Sequence, residues 1–355
     1  MKLPDEYDDQ PKMSMGVMRM IIGVTFFIAA ILVLILVINE KKSAKAIEKE
    51  TESLTEGEEA FVPGTLTPED FDFWDMYPKE TTESLPEETK KADDKEVKED
   101  PATDGKHTLV TTSDGKEEWV LISPYLPKNE YDFTKLVCQS NLMKYYVDGK
   151  QVSYVGTDIS KYQDYVDFVK LKKAGVDFVM IRAGVRGYGT GQLILDEYFL
   201  DNIKRASDAG LMIGLYFFSQ AITEDEAVEE ANLVLSNIGE YQITYPIAFD
   251  MELIQNDTSR IENLTREEKT KITKKFLKTI EDAGYKAMVR GNKEWLIKKV
   301  DLSKLTDYDI WLSEPGDLPD YPYQFTMWQY SDTAVIDGIA GYANLNISFI
   351  DYSEK

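Results

Sequence analysis

From Gly156 onward the chain alternates short, almost wholly apolar runs with amphipathic stretches, and this alternation restricts the fold more than any other feature. Val176-Asp-Phe-Val-Met-Ile181, Leu211-Met-Ile-Gly-Leu-Tyr-Phe-Phe218 and Tyr245-Pro-Ile-Ala-Phe249 read as strands of a parallel sheet covered on both faces, where no position need be polar. Helices separate them. Thr223-Glu-Asp-Glu226 and Thr265-Arg-Glu-Glu268 each match a capping box, and after the second Ile272, Phe276 and Ile280 recur at four-residue spacing as one inward stripe. Further strands are predicted at 286–289, 309–312, 325–330 and near Leu345, with little helix between them, and an early one at 155–159 brings the total to about eight. The fold class is therefore α/β: a modified TIM-like β/α barrel over residues 155–355, its late strands joined mainly by loops.

The segments before the barrel differ in kind. A polar tail (1–17) precedes a predicted transmembrane helix (18–39), since Met20 to Ile38 carries no charge and is close to the length that crosses a bilayer. A cleaved signal peptide is the competing reading, with Ala44-Lys-Ala46 as a small-residue site, but the apolar run exceeds the usual signal core. Lys41, Lys42, Lys45 and Lys49 follow the span, which by charge alone would put that side in the cytoplasm; the substrate argued below puts it outside, at the cell surface. Residues 40–105 are rich in Glu, Asp, Lys, Thr and Pro and are predicted to be a disordered linker, interrupted by the apolar patch Phe71, Phe73, Trp74, Met76 and Tyr77. A small β-hairpin module (106–154) follows, with one turn at Ser113-Asp-Gly115 and a second at Asp148-Gly149 between strands 143–147 and 151–155.

Composition removes several chemistries. A formal net charge of −24 gives no basic surface for nucleic acid. The single cysteine, Cys138, excludes an intrachain disulfide and a multi-cysteine zinc site, and the single histidine, His107, lies far from any motif, so triad chemistry has no base. No phosphate loop, dinucleotide fingerprint or metal cluster is present, and no cofactor is predicted. Catalysis would run on carboxylates. Asp250 and Glu252, at the C-terminal end of a predicted strand, alternate onto one side about 6–7 Å apart along the backbone, and two carboxyls so close keep one proton between them near neutrality. Asp158, ending the first barrel strand, opens onto the same mouth. Tyr216, Phe218, Trp328 and Tyr330 at other strand ends are candidates for flat walls against sugar faces, with core packing as the alternative.

Five segments together resemble the glycoside hydrolase family 25 lysozymes: Gly156-Thr-Asp-Ile-Ser-Lys-Tyr-Gln163, Ile181-Arg-Ala-Gly-Val-Arg-Gly-Tyr-Gly189, Gly214-Leu-Tyr-Phe-Phe-Ser-Gln220, Phe249-Asp-Met-Glu252 and Met327-Trp-Gln-Tyr330. The resemblance runs from Gly156 to about Asp351 and implies a muramidase that cleaves the β-1,4 bond between N-acetylmuramic acid and N-acetylglucosamine of bacterial peptidoglycan, its partner, without a cofactor. It implies Glu252 as general acid/base, Asp250 as its electrostatic partner and Asp158 as a third cleft carboxylate. Tyr188, Tyr216, Phe218, Arg290, Trp328, Gln329 and Asn344 become substrate-binding candidates. Two carboxyls on one strand cannot flank a sugar from opposite faces, so retention is expected, with the 2-acetamido oxygen or Asp250 as nucleophile. Three positions depart from the family pattern. Asn344 replaces an Asp, Arg290 replaces a Tyr and could pair with Asp250 or Glu252, and Trp311-Leu-Ser-Glu-Pro315 replaces an Ala-Gln-Tyr run. A membrane-tethered pseudoenzyme that binds the wall is the runner-up, and an enzyme acting on another N-acetylated glycan such as chitin is a third reading.

Overall fold

The structure is a computed structural model and describes residues 100–254 and 258–353. The expected transmembrane helix and all but the end of the linker lie outside the described residues. Among the described residues no helix is long and apolar enough to cross a membrane.

Eight strands close into a barrel: β6 (Tyr154–Ile159), β7 (Phe178–Arg186), β9 (Met212–Ser219), β10 (Ile247–Met251), β11 (Ala287–Asn292), β12 (Asp309–Ser313), β13 (Met327–Ala334) and β14 (Ala343–Ser348). β8 (Leu193–Leu195) hangs on β7 as an antiparallel edge. From β6 to β13 neighbours are parallel, whereas β14 runs antiparallel to both β13 and β6. The reversal follows from chain length. Parallel neighbours need a crossover of roughly a dozen residues, and the connection between Ala334 and Ala343 is too short for one.

Four helices cover the first half of the barrel: α1 (Phe168–Ala174), α2 (Phe199–Asp208), α3 (Glu224–Leu235) and α4 (Arg266–Asp282). After β11 only a π turn and a 3-10 turn intervene, and none stands between β12 and β13, as the sequence pattern implies. The Thr265 box closes as expected, with Glu268 N–H donating to Thr265 Oγ1 (3.2 Å) and Thr265 N–H to Glu268 Oε2 (2.8 Å). At Thr223 only half of the box forms. Its hydroxyl accepts from Glu226 N–H, but the Glu226 carboxylate accepts from Ile222 N–H and pairs with Arg260. The α4 stripe is fully inward, and Phe276 packs on Phe249 with ring centres 4.9 Å apart; burying such a ring stabilises by about 1.5–3 kcal/mol.

Side-chain alternation divides each strand between two cores. Ile247, Phe249 and Met251 face the helices, while Ala248 joins Phe178, Met180, Tyr216, Met288, Trp311 and Met327 inside the barrel. At the bottom Phe178 stacks on Tyr245 at 4.3 Å. Gly156 makes room for it, since a Cβ there would lie 2.2 Å from the Phe178 ring. Strand starts fall later than expected at β10, where Pro246 has no N–H to give the ladder, and at β13.

Ahead of the barrel, β1 (His107–Thr111) and β2 (Glu117–Leu121) form the first hairpin. The second turn occurs at Asp148 (φ 50°) and Gly149 (φ 76°), both left-handed as a type I′ turn requires. Its return strand β5 is only Lys150–Gln151, because Tyr154 already belongs to the barrel. The pairing of β3 (Leu136–Gln139) with β4 (Leu142–Val147), through Ser140 and Asn141 at positive φ, went unread in the sequence. Leu142, Met143 and Tyr145 belong to the same core as the barrel's outer layer.

Candidate active site

At the C-terminal mouth of the parallel strands the inward positions turn from apolar to polar. Register sets Asp250 beside Phe218 on β9 and Arg290 on β11, and sets Asp158 beside Asn344 on β14. Asp250 is buried, and one Arg290 nitrogen donates to both of its carboxylate oxygens at 2.8 and 2.9 Å. Arg290 lies over the Trp311 ring at 5.0 Å, and its other terminal nitrogen reaches Gln329 Oε1 at 3.3 Å. Gln329 Oε1 also accepts from the Ser313 hydroxyl at 2.7 Å.

Asp158 is buried and accepts three amide N–H bonds: from Asn344 at 2.8 Å, Asn346 at 2.9 Å and Gln329 at 2.6 Å. Three donors on one carboxylate offset its desolvation without a cation. Asn346 turns its other face to Trp311, whose indole N–H donates to Oδ1 at 2.8 Å. A continuous polar layer thus links Asp158, Gln329, Arg290 and Asp250 across β6, β13, β11 and β10.

Glu252 stands immediately beyond β10 and is partly buried. Burial raises its carboxyl to about 7, the Asp250 charge adds to the rise, and Arg290 opposes it. Burial likewise raises the Asp250 carboxyl, against the pull of the Arg290 guanidinium, and Asp158 pushes it further up. Arg290 therefore pairs with Asp250, and Glu252 retains a proton affinity matched to neutral pH, suited to a group that gives and retakes a proton.

The remaining candidates separate. Tyr216 is buried beneath the polar layer, edge-on to Trp311 at 5.8 Å, and burial raises its phenol far above the ordinary value. Phe218 is partly buried beside Asp250, and Tyr188 is exposed in the connection between β7 and β8. Trp328 does not reach the mouth. It is fully buried between the inward-facing Met327 and Gln329 on the other face of β13, and its indole N–H donates to the Glu314 carbonyl at 2.8 Å. Tyr330 is also core; its hydroxyl accepts from Met143 N–H (3.1 Å) and donates to the Asn141 carbonyl (3.0 Å), fastening the β3–β4 turn to the barrel. Alternation along a strand decides such cases, and counting from Gln329 would have excluded Trp328. The same count would have found Asn346, two residues after Asn344, and Ser313, two after Trp311. Arg182, bound to Asp196 at 2.7 Å, went unread because it lies inside an apolar run.

A model of the glycosyl hydrolases family 25 matches residues 157–339, just over half of the chain. The chain belongs to this family. Within family 25 it is similar to the autolytic lysozyme of Clostridium acetobutylicum, 26% identical over 192 residues that cover 54% of this chain and 54% of that protein. An uncharacterized protein, YegX of Escherichia coli, is 23% identical over 198 residues, 54% of this chain and 68% of that protein. Among solved structures, the modular autolysin LytC from Streptococcus pneumoniae, in complex with a synthetic peptidoglycan ligand, superposes with a TM-score of 0.50 at 20% identity. That match covers 68% of this chain and 56% of the other, and shows the shared fold. The chain thus spans about half the length of the autolytic lysozyme and of LytC.

Proposed function

We propose that this family 25 chain is a peptidoglycan hydrolase of lysozyme type that cleaves the β-1,4 bond between N-acetylmuramic acid and N-acetylglucosamine with retention. The observation that carries the reading is Glu252, a carboxyl raised to about 7 by burial at the barrel mouth, beside the buried Asp250–Arg290 pair. Glu252 protonates the glycosidic oxygen as the C1–O bond breaks. Both Asp250 oxygens are engaged by Arg290, which supports the substrate's own 2-acetamido oxygen as the group that closes on C1. Asp250 then faces the positive charge of the cyclic intermediate. The Glu252 carboxylate next takes a proton from water, whose oxygen attacks C1 and reopens the ring, so that two inversions give net retention. Tyr188 and Phe218 line the approach, and Asn344 and Gln329 hold Asp158. The activity belongs outside the cytoplasm, and the apolar span at 18–39 is proposed to anchor the chain there; protease accessibility of the barrel in sealed vesicles tests that placement.

Purified protein is expected to release reducing ends from bacterial cell walls, and Glu252→Gln to abolish the release. Arg290 on Asp250, together with Asn344 in place of an acid, favours a second reading, a wall-binding pseudoenzyme. Sedimentation of the unmodified protein with walls, without release of reducing ends, would establish it; cleavage of soluble chitin oligomers in preference to walls would redirect the substrate.

A further inference from the structure

Gln220 follows β9 directly and is fully buried, yet it touches none of the carboxylates of the cleft. Its Nε2 donates to the backbone carbonyl of Glu252 at 2.8 Å, and its Oε1 accepts from the Ser259 hydroxyl at 2.5 Å. A carbonyl can only accept, so the amide has one orientation: Nε2 toward Glu252 and Oε1 toward Ser259. One side chain therefore grips the chain where it leaves the catalytic strand and again where it returns. The grip is itself anchored. Arg260 donates to the Gln220 carbonyl at 3.1 Å and to the two oxygens of Glu226 at 3.2 and 2.8 Å, tying the clamp to the first turn of α3.

β10 ends at Met251, so no ladder hydrogen bond fixes the residue that follows, and the Glu252 carboxyl has no hydrogen bond or ion pair of its own among the described residues. The direction of that carboxyl is then set through its backbone. We infer that Gln220 is a positioning residue for Glu252, holding the backbone beyond the strand end so that the carboxyl stays in the mouth of the barrel. The inference rests on the reading of Glu252 as acid/base. Charged groups acting on Glu252 are Asp250, near the end of β10, and Arg290 on β11, and neither touches Gln220. Releasing the clamp changes the solvation of Glu252 while leaving those two charges in place.

The test is Gln220→Met, which keeps the length of the side chain and removes both hydrogen bonds, with Gln220→Asn, too short to span both partners, as a second variant. Misplacement of a catalytic group on this scale costs about 10- to 100-fold in kcat. KM is expected to stay within about twofold, because Gln220 makes no contact with the cleft. The alkaline limb of the pH–rate profile should move to lower pH, and the Glu252 carboxyl, followed by carbon NMR of the protein labelled at glutamate, should titrate below its parent value. Parent kcat and parent titration in a folded variant would overturn the inference. So would a fall in kcat with Glu252 titrating as in the parent, the mark of a merely structural residue. The titration needs no turnover, so it decides the positioning role even if the unmodified protein releases nothing from cell walls, the result that would defeat the proposed activity instead.

Discussion

Replacing Glu252 by Gln should stabilise the protein above neutral pH and much less near pH 5, a pattern that follows from the buried carboxyl independently of turnover. In the folded chain the group holds its proton up to about 7, against an ordinary value of 4.5. The folded state therefore binds this proton more tightly than the unfolded chain, and stability contributed by the protonated form is lost as pH rises from 4.5 to about 7. At about 1.4 kcal/mol per tenfold difference in proton affinity, the loss approaches ~3 kcal/mol well above neutrality. Partial exposure of Glu252 at the mouth brings the expected value to about 2 kcal/mol. Gln has the shape of the protonated acid and no charge to desolvate, so it avoids this penalty. Urea unfolding of parent and variant at about pH 5 and about pH 8 reads the effect, because titrating groups distant from Glu252 cancel in the difference between the two proteins. An equal stability gap at both pH values would refute the reasoning, since it would mean that Glu252 ionises in the folded protein as it does in the open chain.

Arg290→Met should destabilise by about 3–5 kcal/mol in thermal or urea unfolding, because it leaves Asp250 buried without its cation. In the same variant Glu252 should titrate higher than in the parent, the guanidinium that opposes its rise being gone. Trp328→Phe should lower stability by about 1–3 kcal/mol through a lost indole hydrogen bond and a small cavity, while KM for cell-wall fragments stays at the parent value; a raised KM would return Trp328 to the cleft.

Much of this architecture was legible in sequence because two periods coexist in it. Continuous apolar runs such as Phe178 to Ile181 mark strands buried on both faces, and the Ile272, Phe276, Ile280 spacing marks the helix that covers β10. What stayed hidden depended on partners distant in sequence. The orientation of β14 is fixed by the length of the connection before it, and the β3–β4 turn at Ser140-Asn141 lacks the glycine that gave away Asp148-Gly149. The same holds within the site. Asp158, Asp250 and Glu252 could be found as acids at strand ends, but the amides that hold Asp158 come from residues 171 to 188 positions away. Gln220, at the end of an apolar run, gave no sign of its hold on Glu252.

The two departures from the family pattern at Arg290 and Asn344 make physical sense as a pair. An acid at 344 would face Asp158 across the β6–β14 ladder and remove one of its three donors, whereas the amide supplies that donor and adds no charge. A cation at 290 meets Asp250 in register on the neighbouring strand, so that buried acid is compensated where it stands. Two carboxylates are thereby held by fixed partners, one by amides and one by a guanidinium. Glu252 is left as the one acid of the three without such a partner among the described residues. The proton that the layer can exchange near neutrality accordingly sits at the mouth, on the partly buried Glu252.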